Sequence, residues 1–241
     1  MELKINNLTK IYGETTVLDI PQLTVNDGEI IGLVGNNGAG KTTMLRLILD
    51  LIKADSGEVL NNGKAVNIDE EWKKHTGSYV DKRFLIPFYT PEEFFSFVAK
   101  LYKIHREELD ARLEEYSQLM HGEILGTGKQ IRHFSEGNQQ KIGIIAAMMI
   151  TPKILLLDEP FNYLDPTSQI IVAKLIKQMN ETYGTTVIVS SHNLTYVSEI
   201  STRVLLLEKG KIIKDIANIA GSANQQLNDY FQLDAQPQNN L

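Results

Sequence analysis

Gly35-Asn36-Asn37-Gly38-Ala39-Gly40-Lys41-Thr42 is the stretch that decides the fold. It fits G-x-x-x-x-G-K-[ST] at every fixed position and adds a glycine at Gly38. The apolar run Ile30-Ile31-Gly32-Leu33-Val34 before it predicts a buried strand, and Thr42-Thr43-Met44-Leu45-Arg46-Leu47-Ile48-Leu49 after it predicts a helix. A glycine-rich loop between strand and helix turns backbone N–H groups inward as an anion-binding nest, and the helix adds the positive end of its dipole. In such a cradle Lys41 bridges the β- and γ-phosphates and the Thr42 hydroxyl holds Mg²⁺. A glycine-rich turn with no ligand gives no reason for lysine and threonine at its end. The stretch therefore predicts a nucleoside triphosphate site.

A second run completes that chemistry. Leu155-Leu156-Leu157-Asp158-Glu159-Pro160 is an apolar strand ending in adjacent carboxylates. A buried strand would bring Asp158 beside the phosphate loop to hold Mg²⁺ through a water, leaving Glu159 to polarise an attacking water. Read by itself, the run is also an ordinary strand end with a solvated acidic turn.

Around these runs the chain has a clear organisation. Leu3-Lys4-Ile5 and Leu23-Thr24-Val25 alternate as antiparallel strands, and a hairpin is expected over residues 57–66. After Arg83 the character changes. Thr90-Pro91-Glu92-Glu93 reads as a capped helix start, with Phe94, Phe95, Phe97, Val98 and Leu101 at helical spacing behind it. Residues 106–120 predict a second, charged amphipathic helix. Strands resume at Ile154, Asp165-Pro166 caps a helix running toward Gly184, and Thr186-Val187-Ile188-Val189-Ser190 is the next strand. Val204-Leu205-Leu206-Leu207 opens a hairpin around Glu208-Lys209-Gly210-Lys211, and the Asn/Gln-rich tail is expected to be mobile beyond Asp234. The expected fold is α/β, a P-loop NTPase core with a mainly parallel sheet, an N-terminal antiparallel β layer and an inserted helical subdomain. Its expected parts are 1–82 and 151–220 for the core, 83–150 for the helical subdomain and 221–241 for a C-terminal extension.

Composition narrows the classes. The 241 residues, 42% hydrophobic, bury a substantial core, and a net charge of −6 argues against a protein built to coat nucleic acid. With no cysteine, disulfides and zinc–thiolate sites are excluded. The N-terminus has no signal-peptide apolar region, and the longest apolar run, 142–150, is shorter than the roughly 20 residues that a spanning helix needs. A soluble protein is expected, with any membrane role exercised through a partner.

With both halves of the site in order, residues 3–214 resemble the ATP-binding cassette (ABC) family, the ATPase subunits of ABC transporters. Gly35, Asn36, Asn37, Gly38, Ala39, Gly40, Lys41, Thr42 and Thr43 match its phosphate loop, and Asp158 and Glu159 its Mg²⁺ strand and catalytic glutamate. Tyr12 looks like the family's aromatic that stacks on adenine, with a strand-edge tyrosine packing on the sheet as the lesser alternative. Ser190-Ser191-His192, followed by Asn193-Leu194, resembles the strand-end histidine that contacts the γ-phosphate. Asp165 matches a dimer-contact loop and is also a plain helix cap. Phe134-Ser135-Glu136-Gly137-Asn138-Gln139-Gln140-Lys141 resembles the family signature, with Ser135 capping a helix whose apolar face is Ile142, Ile145, Ala146 and Met149. The resemblance implies that Ser135, Gly137 and Asn138 meet the γ-phosphate of ATP held by a facing cassette. It further implies ATP and Mg²⁺ as cofactors, a homodimer or heterodimer of cassettes, and an integral-membrane permease. It places the protein in the cytoplasm, peripheral on the inner membrane face, with no nucleic acid partner.

Three departures stand out. Glu136 replaces a signature glycine and is expected to point outward; Asn138 replaces a glutamine. Where the family has a glutamine at the start of the helical block, Gly77-Ser78-Tyr79-Val80-Asp81-Lys82-Arg83 has none, and Asp81 is the candidate metal contact. The helical block and Thr90-Pro91-Glu92-Glu93-Phe94-Phe95 look like bacterial exporter cassettes. Phe84, Leu85, Ile86, Phe88 and Tyr89 either dock the permease or pack within the block. A soluble non-transport ATPase and a hydrolysis-impaired regulatory cassette are the alternatives.

Overall fold

The structure is a computed structural model that describes residues 2–192, 194–218, 222–223 and 226–227. Most of the expected C-terminal extension, and Asn193, lie outside the described residues. Two sheets carry the fold. The first is antiparallel, in the order β2-β1-β4-β5, from β1 (Leu3–Tyr12), β2 (Thr15–Val25), β4 (Ser56–Asn61) and β5 (Lys64–Ala65). The second has the order β10-β9-β3-β8-β7-β6, from β3 (Ile30–Val34), β6 (Thr76–Tyr79), β7 (Ile154–Asp158), β8 (Thr186–Ser191), β9 (Arg203–Glu208) and β10 (Lys211–Ala217). Neighbours from β9 through β6 run parallel, and β10 pairs antiparallel with β9. Both expected hairpins form. Their central residues, Asn62 and Gly63 in one and Lys209 and Gly210 in the other, all have positive φ, the geometry that matches the twist of paired strands.

The parallel strands read as unbroken apolar runs because both faces are covered. Side chains alternate between two cores. Val34, Leu155, Leu157, Val187, Val189, Val204 and Leu206 face one; Ile31, Leu33, Ile154, Leu156, Ile188, Leu205 and Leu207 face the other. The second core is closed by the antiparallel sheet and by α1 (Lys41–Ile48), which lays Met44, Leu45, Leu47 and Ile48 between the two sheets. The first is closed by α2 (Pro91–Leu101), α3 (Arg106–Glu114), α4 (Ser117–Met120), α5 (Glu136–Met148), α6 (Pro166–Tyr183) and α7 (Leu194–Ile200). The helical block therefore shares its core with one face of the main sheet. Among the described residues no helix is long and apolar enough to cross a membrane.

Local expectations held at the caps. Thr90 and Glu93 form a reciprocal capping box, Asp165 caps α6, and Gly184 ends it in the left-handed region. Three expectations need correction. The helix expected over 106–120 breaks after Glu114, where Glu115 and Tyr116 donate three residues back to Arg112 and Leu113 and the Tyr116 ring turns into the core. On α2, Phe94 and Phe95 are buried, but Phe97 and Leu101 are exposed. Nor is α5 amphipathic: every residue from Gln140 through Met148 is buried, because the helix is wedged between β6 and its neighbouring helices. A Cβ on Gly143 would lie 2.1 Å from the Tyr79 ring, so only glycine permits this approach of α5 to β6.

Strand register builds the site's floor. In the parallel pairs Val34 lies opposite Ser191 and Asp158 opposite Ser190, so β3, β7 and β8 end together. Ligands of open parallel sheets bind at such carboxyl ends.

Candidate ATP site

The loop after β3 reaches α1 through Gly40, whose φ of 108° excludes a side chain at the helix cap. Lys41 follows, only 6% exposed. Its Nζ donates to the carbonyls of Gly35 (2.6 Å) and Asn36 (3.3 Å) and lies 3.4 Å from Glu159 Oε1. One residue on, Thr42 Oγ1 donates to Asp158 Oδ2 at 2.5 Å, while Ser190 Oγ donates to Asp158 Oδ1. Burial pushes the Asp158 carboxyl above its ordinary range, against the opposing pull of those hydroxyls. A buried carboxylate beside a hydroxyl is a hard-oxygen donor pair whose charge a cation would restore. Among the described residues no group of three His, Cys, Asp or Glu gathers as a metal cluster, so an ion here would take its remaining ligands from substrate and water, as Mg²⁺ does.

Glu159 has a φ of 47°, a region that costs a non-glycine residue about 1–2 kcal/mol. That twist takes its side chain off the strand direction and toward Lys41 and His192. Its N–H donates to Ser190 Oγ (2.9 Å), and its carbonyl accepts from Gln140 Nε2 (3.1 Å). Its Oε2 meets His192 Nδ1 at 2.9 Å and the His192 N–H at 3.3 Å. Lys41, Thr42, Asp158, Glu159 and His192, named from separate stretches of sequence, thus form one contact network.

Other expected residues sit apart from it. Tyr12 ends β1 with its ring half exposed and the Lys10 ammonium 5.2 Å from the ring centroid. Ser135 caps α5, accepting from Asn138 N–H at 3.2 Å, and Asn138 Nδ2 reaches Glu123 Oε2 at 3.3 Å. Gly137 lies against the Tyr163 carbonyl, which a Cβ would meet at 2.6 Å. Asp165 accepts from the Ser168 hydroxyl and N–H, which hold its pKa down to about 2, and lies 3.9 Å from the buried Lys141 ammonium. Asp81 is engaged by arginines rather than by the Thr42–Asp158 pair: Arg83 and Arg46 (2.9 Å) both donate to Oδ2 and hold its carboxyl below the usual range. Glu136 points to Lys82, at 2.7 Å. Sequence reasoning gave no role to Ser190 or Gln140. The signal available for Ser190 was a hydroxyl ending an apolar strand; for Gln140 it was its place in the signature stretch 134–141.

A family model described as ABC transporter matches residues 18–162. An uncharacterised ABC transporter ATP-binding protein of Methanocaldococcus jannaschii, MJ1023, is 34% identical over 88% of this chain and 76% of its own. The bacitracin transport ATP-binding protein BcrA of Bacillus licheniformis is 33% identical over 89% of this chain and 69% of its own. Among solved structures, the dimeric bacterial ABC transporter cassette MJ0796 superposes with a TM-score of 0.81 at 27% identity, over 90% of this chain and 99% of that one. The chain belongs to the ABC transporter family, as an ATP-binding and ATP-hydrolysing subunit.

Proposed function

We propose that two cassettes close head to tail around two ATP molecules, and that hydrolysis drives a separate integral-membrane permease of bacterial exporter type. The observation that carries this reading is the single network joining Lys41, Thr42, Asp158, Glu159 and His192 at the ends of β3, β7 and β8. Residues 35–43 cradle the phosphates, and the Lys41 ammonium, already turned toward oxygen acceptors, moves from loop carbonyls to phosphate oxygens. Thr42 and Asp158 would hold Mg²⁺, which would supply charge neutralisation for the phosphates. Glu159 takes the proton of the attacking water, and His192 orients that carboxylate while facing the γ-phosphate. Tyr12 offers its open ring to adenine. Ser135, Gly137 and Asn138 meet the facing cassette's ATP, and Asp165 sits in the loop that lines the dimer. Asp81, held by two arginines, is assigned no metal role. The contact between Glu159 and His192 speaks against a hydrolysis-impaired cassette.

For the permease we assign the groove of about 220 Å³ between β6, α2 and α5, which Phe84, Phe97 and Leu101 leave open to solvent. Phe88, also exposed, lies under the Arg132 guanidinium, 4.7 Å from its ring centroid. Through the permease the chain sits on the cytoplasmic membrane face. Light scattering of a Glu159→Gln variant tests the reading. The expected result is a monomer in ADP, a dimer in Mg²⁺–ATP, and loss of the dimer on adding Ser135→Arg. A monomer at saturating ATP, with binding intact, would refute the homodimer.

A further inference from the structure

Residues 81–83 join β6 to the helical block, and each carries a charge. Asp81 turns toward the nucleotide helix through Arg46. Lys82 turns the other way, donating to Glu136 Oε1 at 2.7 Å. Glu136 is the first residue of α5, between the capping Ser135 and Gly137. A carboxylate in a first helical turn is favoured by the helix dipole, which by itself explains why Glu136 is tolerated. The same dipole is what a phosphate arriving at that helix end needs. A bare Glu136 would compete with the phosphate for the dipole and repel it.

We propose that Lys82 is a positioning residue for the signature helix, neutralising Glu136 and drawing it aside so that the start of α5 stays open to a facing cassette's γ-phosphate. The inference rests on the head-to-tail dimer described above and adds the means by which this chain accommodates an acidic signature. One further observation fits it. Both partners of the ion pair are more than half exposed, so the pair adds little to fold stability. Its effect is felt when two cassettes close and water leaves the interface, where charges act more strongly.

The test is a double-mutant cycle in the Glu159→Gln background, with the dimer dissociation constant in Mg²⁺–ATP measured by analytical ultracentrifugation at low and high salt. Lys82→Ala is expected to weaken the dimer about 5- to 30-fold at low salt, the size of one screened unit charge acting at each of two sites. Lys82→Arg should keep the parental value. Glu136→Gln should dimerise at least as well as the parent, and adding Lys82→Ala to it should change nothing further. At about 1 M salt, where the Debye length falls to about 3 Å, the Lys82→Ala defect should shrink. Circular dichroism and ATP binding by the monomer report folding, with Lys82→Met read in place of Lys82→Ala if the latter fails them. A dimer unchanged by Lys82→Ala overturns the proposal, as does an equal loss with Glu136→Gln present or a loss indifferent to salt. If the Glu159→Gln parent binds ATP and stays monomeric, the head-to-tail reading itself falls, and this inference with it.

Discussion

Gln140→Leu tests whether the catalytic turn is held in place by the signature helix. Glu159 occupies a left-handed backbone position that its strand does not require. Its peptide groups are pinned from both sides, by Ser190 Oγ at the N–H and by Gln140 Nε2 at the carbonyl. Leucine has nearly the volume of glutamine but no donor, so packing is kept while the carbonyl is left with the Asn162 N–H alone, at 3.2 Å. Losing one of two hydrogen bonds to this carbonyl costs about 0.5–1.5 kcal/mol. For a chain of this length each kcal/mol lowers Tm by about 2–4 °C, so a fall of about 1–6 °C is expected. With the turn free to relax, a carboxylate displacement of about 1 Å lowers kcat by up to about 100-fold. KM for ATP should stay unchanged, because Lys41 and the phosphate loop keep their own contacts. Phosphate release across an ATP series, with thermal melts on the same samples, reads both quantities. An unchanged kcat beside the lowered Tm would refute the reasoning, and a rise in KM alone would move Gln140 into substrate binding.

Three other perturbations probe different parts of the molecule. The folded-state pKa of Asp158 is raised above its ordinary 3.8, so its stabilising contribution is full below that value and is lost as pH rises through the folded value. Nucleotide-free Asp158→Asn should therefore be more stable than the parent at pH 7, with the advantage vanishing toward pH 3 in urea titrations; a pH-independent difference would contradict this. Gly143→Ala drives a methyl group into the Tyr79 ring and should cost about 1–3 kcal/mol in chemical denaturation, a loss that Tyr79→Leu in the same chain should largely restore. Tyr12→Ala should raise the ATP dissociation constant about 5- to 150-fold, the equivalent of about 1–3 kcal/mol of base stacking; unchanged calorimetric affinity would return Tyr12 to a packing role.

Much of this protein was legible before its structure. The phosphate loop, the carboxylate pair after Leu157 and the caps at Thr90, Ser135 and Asp165 are short-range patterns, and each appears where its residues require. The errors arose where packing overrides local pattern. The break after Glu114 follows from burying Tyr116, and α5 carries an apolar face in its sequence yet is enclosed on every side. Asp81 shows the same limit from another direction. Its place where the family carries a glutamine suggested a metal contact, but which cations lie near a carboxylate is decided by the neighbours that folding supplies, here Arg46 and Arg83.

The amino-acid sequence by itself determined that this chain holds a nucleoside triphosphate on a P-loop α/β core, because loop, strand and cap chemistry are fixed by residues adjacent along the chain. Only the tertiary structure decided what surrounds the two carboxylates. Ser190 reaches Asp158 because β7 and β8 pair in that register, and Gln140 reaches the Glu159 carbonyl because α5 is wedged against β6. Contacts between such distant residues come from strand register and core packing, which depend on the whole chain at once.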